Sequence, residues 1–156
     1  MIFVTVGTQL PFPRLVAEMN RLAGRTCEPV IAQTCHDLTP YPNLIVEPFM
    51  NSERYTDVIE QARLVVAHAG IGTVLAARQA HVPLILVPRR VSLGEHRNDH
   101  QEGTVRQLLG RDGITGVWDT AKLEGLIKSD LSLPETPTVS GPALEGLVTT
   151  LRSYIG

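Results

Sequence analysis

Short, almost wholly apolar runs recur along the chain, each followed by a stretch with helical spacing, and this alternation constrains the fold most. Residues 2–6, 29–33, 44–46, 64–67, 83–87 and 114–118 read as strands. Between them, residues 12–22, 52–62, 73–80, 99–109 and 121–128 read as helices. Leu15, Val16, Met19 and Leu22 give the first helix its apolar face. Asn51 or Ser52 caps the second, Asp119 caps the last, and Asp99 with Glu102 fits a capping pattern. Strands apolar without interruption are covered on both faces. Strand–helix alternation of this kind predicts an α/β fold, a single doubly wound, Rossmann-like parallel sheet. The domain is expected over residues 1–131, with a Pro/Ser/Thr-rich linker at 132–142. Residues 143–156 read as an amphipathic helix with its stripe on Leu144, Leu147, Val148, Leu151 and Ile155. That helix suits either a partner or the domain's own sheet.

Ligands of such sheets sit outside the carboxyl ends of the strands. Gly7, Thr8, His68, Gly70, Gly72, Glu95, Asp99 and Gln101 all fall just after predicted strand ends. The sharpest segment is His68-Ala69-Gly70-Ile71-Gly72-Thr73, a strand end, a glycine turn and a helix start. Unpaired N–H groups in a first helical turn, together with the helix dipole, favour a phosphate there. Gly70 and Gly72 would let the backbone approach that phosphate closely. The dinucleotide fingerprint is incomplete, because Leu75 stands where its third glycine belongs and Arg90 where its acid belongs. No Gly-Lys-Ser/Thr follows the turn, so it is not a P-loop either. The plain alternatives are a ligand-free tight turn, a satisfied buried His68, and a solvated loop for Glu95, His96 and Arg97.

Arg89 and Arg90 follow the fifth strand directly, with His96, Arg97 and His100 nearby and only Glu95 and Asp99 to offset them. Such a cluster can donate to oxyanions. No Asp-x-Asp occurs, so no metal-bridged site is expected and helix dipole plus basic groups would stabilise a leaving diphosphate. Cys27, Cys35 and His36 make at most half a metal site, and two cysteines suit a reducing compartment. The formal net charge of -2 argues against nucleic acid as a partner. Aromatic residues are too few for base-stacking platforms, and no apolar run spans a bilayer. The chain starts on a strand rather than a secretory leader.

Three segments in order (residues 3–8, 66–73 and 88–101) make the chain similar to the C-terminal domain of family 28 glycosyltransferases over nearly its whole length. It most resembles the small split members of bacterial exopolysaccharide synthesis and the eukaryotic subunit that adds N-acetylglucosamine to dolichol-linked sugars. The resemblance implies the donor half of a GT-B enzyme: an inverting, metal-independent transferase whose UDP-sugar is a substrate, with no cofactor. By position it implies Phe49 and Met50 in the loop whose backbone reads uracil, Gly70, Gly72 and Thr73 at the diphosphate, and Asp99 and Gln101 at sugar hydroxyls. Gly7, Thr8, Arg89 and His100 join them as expected binding residues, with His68, Glu95 and Arg97 as catalytic ones. The wider family's ribose-binding Glu is replaced here by Ala76. The acceptor half, the membrane anchor and the catalytic base would then lie on a partner subunit at the cytoplasmic membrane face. The acceptor would be a polyprenyl-diphosphate-linked saccharide. The donor sugar is expected to be a hexose or hexuronic acid, with glucuronate favoured by the arginines. A homo-oligomer acting alone and a non-catalytic nucleotide-binding regulator are the alternatives.

Overall fold

Successive side chains of a strand point to opposite faces, and in this protein both faces are covered. In β1 (Ile2–Thr5), Ile2 and Val4 enter one hydrophobic cluster and Phe3 the other. β4 (Leu64–His68) and β5 (Leu84–Val87) divide the same way: Leu64, Val66, Ile85 and Val87 on the first side, Val65, Ala67, Leu84 and Leu86 on the second. Both clusters draw on the same strands, so the apolar runs are continuous rather than alternating. The first side is closed by Leu15, Val16, Met19 and Leu22 of α1 (Pro13–Ala23) and by Leu123 of α5 (Leu123–Lys128). The second is closed by α2 (Ser52–Gln61), α3 (Ile71–Gln79) and α4 (His100–Leu108), through Val58, Ile59, Val74, Ala77, Val105 and Leu108.

The structure, a computed structural model, describes residues 1–134. β2 (Val30–Gln33), β3 (Ile45–Val46) and β6 (Ile114–Gly116) complete one parallel sheet in the order β3-β2-β1-β4-β5-β6. Ile2 of β1 stands beside Val30 on one flank and Leu64 on the other. This is the doubly wound α/β architecture expected from the alternation. The chain builds outward from β1 to β3, then returns to lay β4 on the opposite flank of β1. The connections therefore leave the carboxyl ends of β1 and β4 in opposite directions and open a crevice between them.

The caps follow the sequence with one exception. Pro13 opens α1, Asn51 Oδ1 accepts from Arg54 N at 2.8 Å, and Asp119 Oδ1 accepts from Ala121 N at 3.0 Å. Asp99 does not cap α4 with its side chain; its Oδ1 accepts instead from Val91 N at 3.4 Å. The spacing is that of a capping box, with Asp99 at the N-cap and Glu102 at the third helical position. Asp99 nevertheless has φ −92° and ψ 21° instead of the extended backbone of a cap, and its side chain turns back to the 3₁₀ turn Val91–Leu93. The first linker residues pack on the domain: Ser132 Oγ accepts from Gly113 N at 3.4 Å, and a Cβ on Gly113 would lie 2.6 Å from Pro134. The stripe at 143–156 lies outside the described residues.

Candidate functional site

The crevice at the switch point is a cleft of about 940 Å³. Its first wall is the loop after β1. Thr5 Oγ1 donates to Gln33 Oε1 at 2.6 Å and accepts from Gly7 N at 3.2 Å. Gly7 lies at φ +77°, a conformation that side-chain-bearing residues rarely adopt. Arg89, only 2% exposed, reaches in from the end of β5 and donates to Val6 O at 2.9 Å and to Leu10 O and Pro11 O at 2.6 Å each. Its guanidinium also lies 4.8 Å from the centre of the Phe12 ring. Burial lowers its pKa, yet a guanidinium remains charged at neutral pH. The sequence places Arg89 among residues touching an anion. In the fold it stands beneath the cleft as a buried clamp on the loop that holds Gly7 and Thr8, with its hydrogen-bonding edges turned to carbonyls.

The second wall is the turn from β4 into α3. His68 Nδ1 stands 3.4 Å from Thr5 O, and the far edge of the ring fills the space between the two loops. A Cβ on Gly70 would come within 2.3 Å of His68 Nε2, and one on Gly7 within 2.9 Å of Cε1. Gly70 is thus glycine because an imidazole occupies its side-chain space, a reason distinct from the phosphate approach read in the sequence. Burial first, and then the positive charge of Arg89, push the His68 pKa down to about 4, so the ring is neutral at pH 7. Gly72 is different, since a Cβ there would meet nothing within 4 Å. It borders the cleft in the first turn of α3, where N–H groups have no partner within the helix. Thr73 Oγ1 accepts from Tyr55 OH at 3.2 Å, and the Tyr55 ring packs edge-on against Phe3, 5.4 Å between centres. Burial raises the Tyr55 pKa, keeping the phenol protonated. Met50, Ser52 and Thr56 extend this wall, whereas half-exposed Phe49 stacks edge-on with His36 at 4.9 Å, outside the lining.

The third wall follows β5. Gln101 Oε1 accepts from Arg89 N at 3.0 Å, which fixes the side chain at the cleft and leaves its amide donors available. His96, Asn98 and His100 stand beside it. Glu95, Arg97 and Asp99 are outside the lining. Both Glu95 oxygens accept from Arg14, at 2.5 and 2.9 Å, and Oε2 accepts from Arg90 N at 2.9 Å. Arg14 also donates to Pro88 O at 3.1 Å and Trp118 O at 3.0 Å, so Glu95 anchors the segment after β5 to α1. The expected catalytic carboxylate is engaged before any ligand arrives. Arg90 Nε donates to Glu102 at 3.2 Å, and Arg97 is exposed.

The fold therefore gathers Gly7, Thr8, Met50, His68, Gly70, Gly72, Thr73, Arg89, His100 and Gln101 around one cleft, and leaves Phe49, Glu95, Arg97 and Asp99 around its outside. Gln9, Gln33, Ser52, Tyr55, Thr56, Asn98 and Thr104 also border it and escaped the sequence reading as site residues. Two signals were available. Gln33 ends a predicted strand, as Gly7 and His68 nearly do, and Ser52, Tyr55 and Thr56 share one helix face by their spacing. Among the described residues no group of three or more His, Cys, Asp or Glu is placed to hold a metal ion, and no helix is long and apolar enough to cross a membrane.

Solved structures share this architecture. The glycotransferase of kitacinnamycin superposes with a TM-score of 0.63 at 17% identity, over 98% of this chain but 38% of that one. ALG13, known from a solution structure, matches with a TM-score of 0.60 at 20% identity, over 94% of this chain and 93% of that one. MurG of Acinetobacter baumannii gives 0.51 at 18%, over 80% of this chain and 39% of that one. This chain thus spans less than two fifths of the kitacinnamycin enzyme and of MurG, and nearly all of ALG13. At these identities the likeness is one of fold. No curated protein matches the chain. The family model described as the glycosyltransferase family 28 C-terminal domain matches residues 1–137, and the chain belongs to that family.

Proposed function

We propose that this glycosyltransferase domain is the donor-binding catalytic subunit of a two-component inverting enzyme. It transfers a sugar from a UDP-sugar to a polyprenyl-diphosphate-linked saccharide in exopolysaccharide synthesis. The observation that carries the reading is the switch-point cleft, in which the free first turn of α3 at Gly72 faces the Gly7–Thr8 loop and Gln101. An acceptor hydroxyl attacks the anomeric carbon in line, the bond to the diphosphate oxygen breaks, and UDP leaves. Its growing charge meets the α3 N-terminus, with buried Arg89 adding a fixed positive charge from below. Among the described residues no carboxylate borders the cleft, and the base that takes the acceptor proton comes from the partner. His68 acts as a neutral strut that sets the spacing of two loops, and Glu95 as a positioning residue working through Arg14. Arg97 is exposed and outside the lining of the cleft. The reaction needs no metal and no cofactor, and the partner carries the acceptor half and the contact with the cytoplasmic membrane face.

The test is binding followed by turnover. UDP and UDP-sugars should raise the melting temperature of the chain, with EDTA present or absent, because a ligand of the folded state shifts unfolding. Preference for ADP, or a strict magnesium requirement, sinks the reading. With the membrane partner, Gln101→Ala should cut turnover at least tenfold. One observation favours a second reading as a nucleotide-binding regulator: Ala76 replaces the family's ribose-binding Glu, and among the described residues no lining carboxylate substitutes for it. Unchanged turnover in the Gln101→Ala pair would favour that regulator.

A further inference from the structure

We infer that the sugar carried by the donor is uncharged, a neutral or N-acylated hexose rather than a hexuronic acid or an amino sugar; the inference rests on the UDP-sugar reading above. The arginines that make the sequence look ready for a sugar carboxylate are turned elsewhere in the fold. Arg89 directs its guanidinium to the carbonyls of Val6, Leu10 and Pro11, and Arg90 to Glu102. Arg14 is held by Glu95 and two carbonyls, and Arg97 is exposed beyond the lining. Among the described residues Arg89 is consequently the only Lys or Arg bordering the cleft, and no Asp or Glu borders it.

The wall that follows β5 is instead built of His96, Asn98, His100 and Gln101. These are hydrogen-bonding groups suited to hydroxyls and amides, and none is a fixed charge. A UDP-sugar already brings two negative charges on its diphosphate, against one buried guanidinium and one helix N-terminus. A third negative charge on the sugar finds no fork of donors, which is what bidentate carboxylate recognition requires. A sugar ammonium likewise finds no carboxylate. A neutral ring leaves no unpaired charge in the cleft.

Calorimetric titration of the full chain with UDP, UDP-glucose, UDP-N-acetylglucosamine, UDP-glucuronate and UDP-glucosamine at one pH and ionic strength tests this. The expected result is that UDP and at least one neutral donor bind, with glucuronate and glucosamine donors at least tenfold weaker than the better neutral one. UDP-glucuronate binding as tightly as the best neutral donor overturns the inference while leaving the UDP-sugar reading intact. The same holds if UDP-glucuronate binds tightly and Arg97→Ala removes that binding, since the exposed arginine would then reach the sugar. Failure of UDP itself to bind overturns the UDP-sugar reading, and the inference with it.

Discussion

Gly70 and Gly72, two positions apart, look interchangeable in the sequence, yet they face opposite constraints. At Gly70 a methyl group collides with the His68 ring, so Gly70→Ala should destabilise the fold by about 1–3 kcal/mol through overpacking. The double variant His68→Ala/Gly70→Ala should recover part of that loss, read as a non-additive cycle in urea unfolding. Additive losses would mean that the ring does not occupy that space. At Gly72 the Cβ space is open, so Gly72→Val should keep the melting temperature within a few degrees and abolish the stabilisation by UDP. A Gly72→Val chain that binds UDP normally moves the phosphate site elsewhere. His68 also carries a pH signature. Its folded pKa of about 4 lies below the value of ~6.5 for an unfolded chain. The unfolded state therefore takes the proton first: the stabilising contribution is complete above pH ~6.5 and lost as pH falls towards 4. The size is on the order of 3 kcal/mol at its upper limit. His68→Gln should flatten the stability–pH curve across that window, and parallel curves for the two proteins would remove His68 as the cause.

Between elements, two arginines do the joining. Arg89 links the end of β5 to the β1–α1 loop, and replacing it with Met leaves three loop carbonyls without that donor. The expected loss is roughly 3 kcal/mol in unfolding free energy, since each unsatisfied buried acceptor costs about 1–3 kcal/mol and water recovers some of them. A loss below about 0.5 kcal/mol, the range of ordinary surface substitutions, would show that the clamp is dispensable. Arg14 and Glu95 join α1 to the segment after β5. Glu95→Gln should raise KM for the donor severalfold in the reconstituted enzyme without altering the pH profile of kcat, as a positioning residue does. A thousandfold fall in kcat with loss of a titrating limb would make Glu95 the base instead. In the sequence, Glu95 and Arg14 are 81 residues apart and nothing in their spacing pairs them. The arginine-rich segment therefore read as an anion cluster, while the fold converts much of it into internal joints.

At the scale of the whole molecule, the described residues form one doubly wound domain, and the proposed two-component enzyme draws its other half from a partner. Under the proposed function, the apolar stripe read in the sequence beyond residue 142 serves as the arm towards the partner. A chain truncated after Pro142 should stay soluble, keep its UDP-induced thermal shift and lose co-purification with the membrane subunit. Aggregation of the truncated chain would instead assign Leu144, Leu147 and Leu151 to the domain's own core.

The strand–helix alternation, the parallel sheet and the strand ends that border the cleft are legible in the order of residues alone. These follow from local periodicity and turn chemistry, which are written in neighbouring residues. That Gly72 and Gln101 border the cleft is legible for the same reason. What a side chain does once it reaches a strand end depends on partners distant in the chain. Only the tertiary structure could turn Arg89 to the carbonyls of the first loop, pair Glu95 with Arg14 and set His68 against Gly70. A charge near a site counts as available only after the groups around it have been counted, and those groups come together only when the sheet forms.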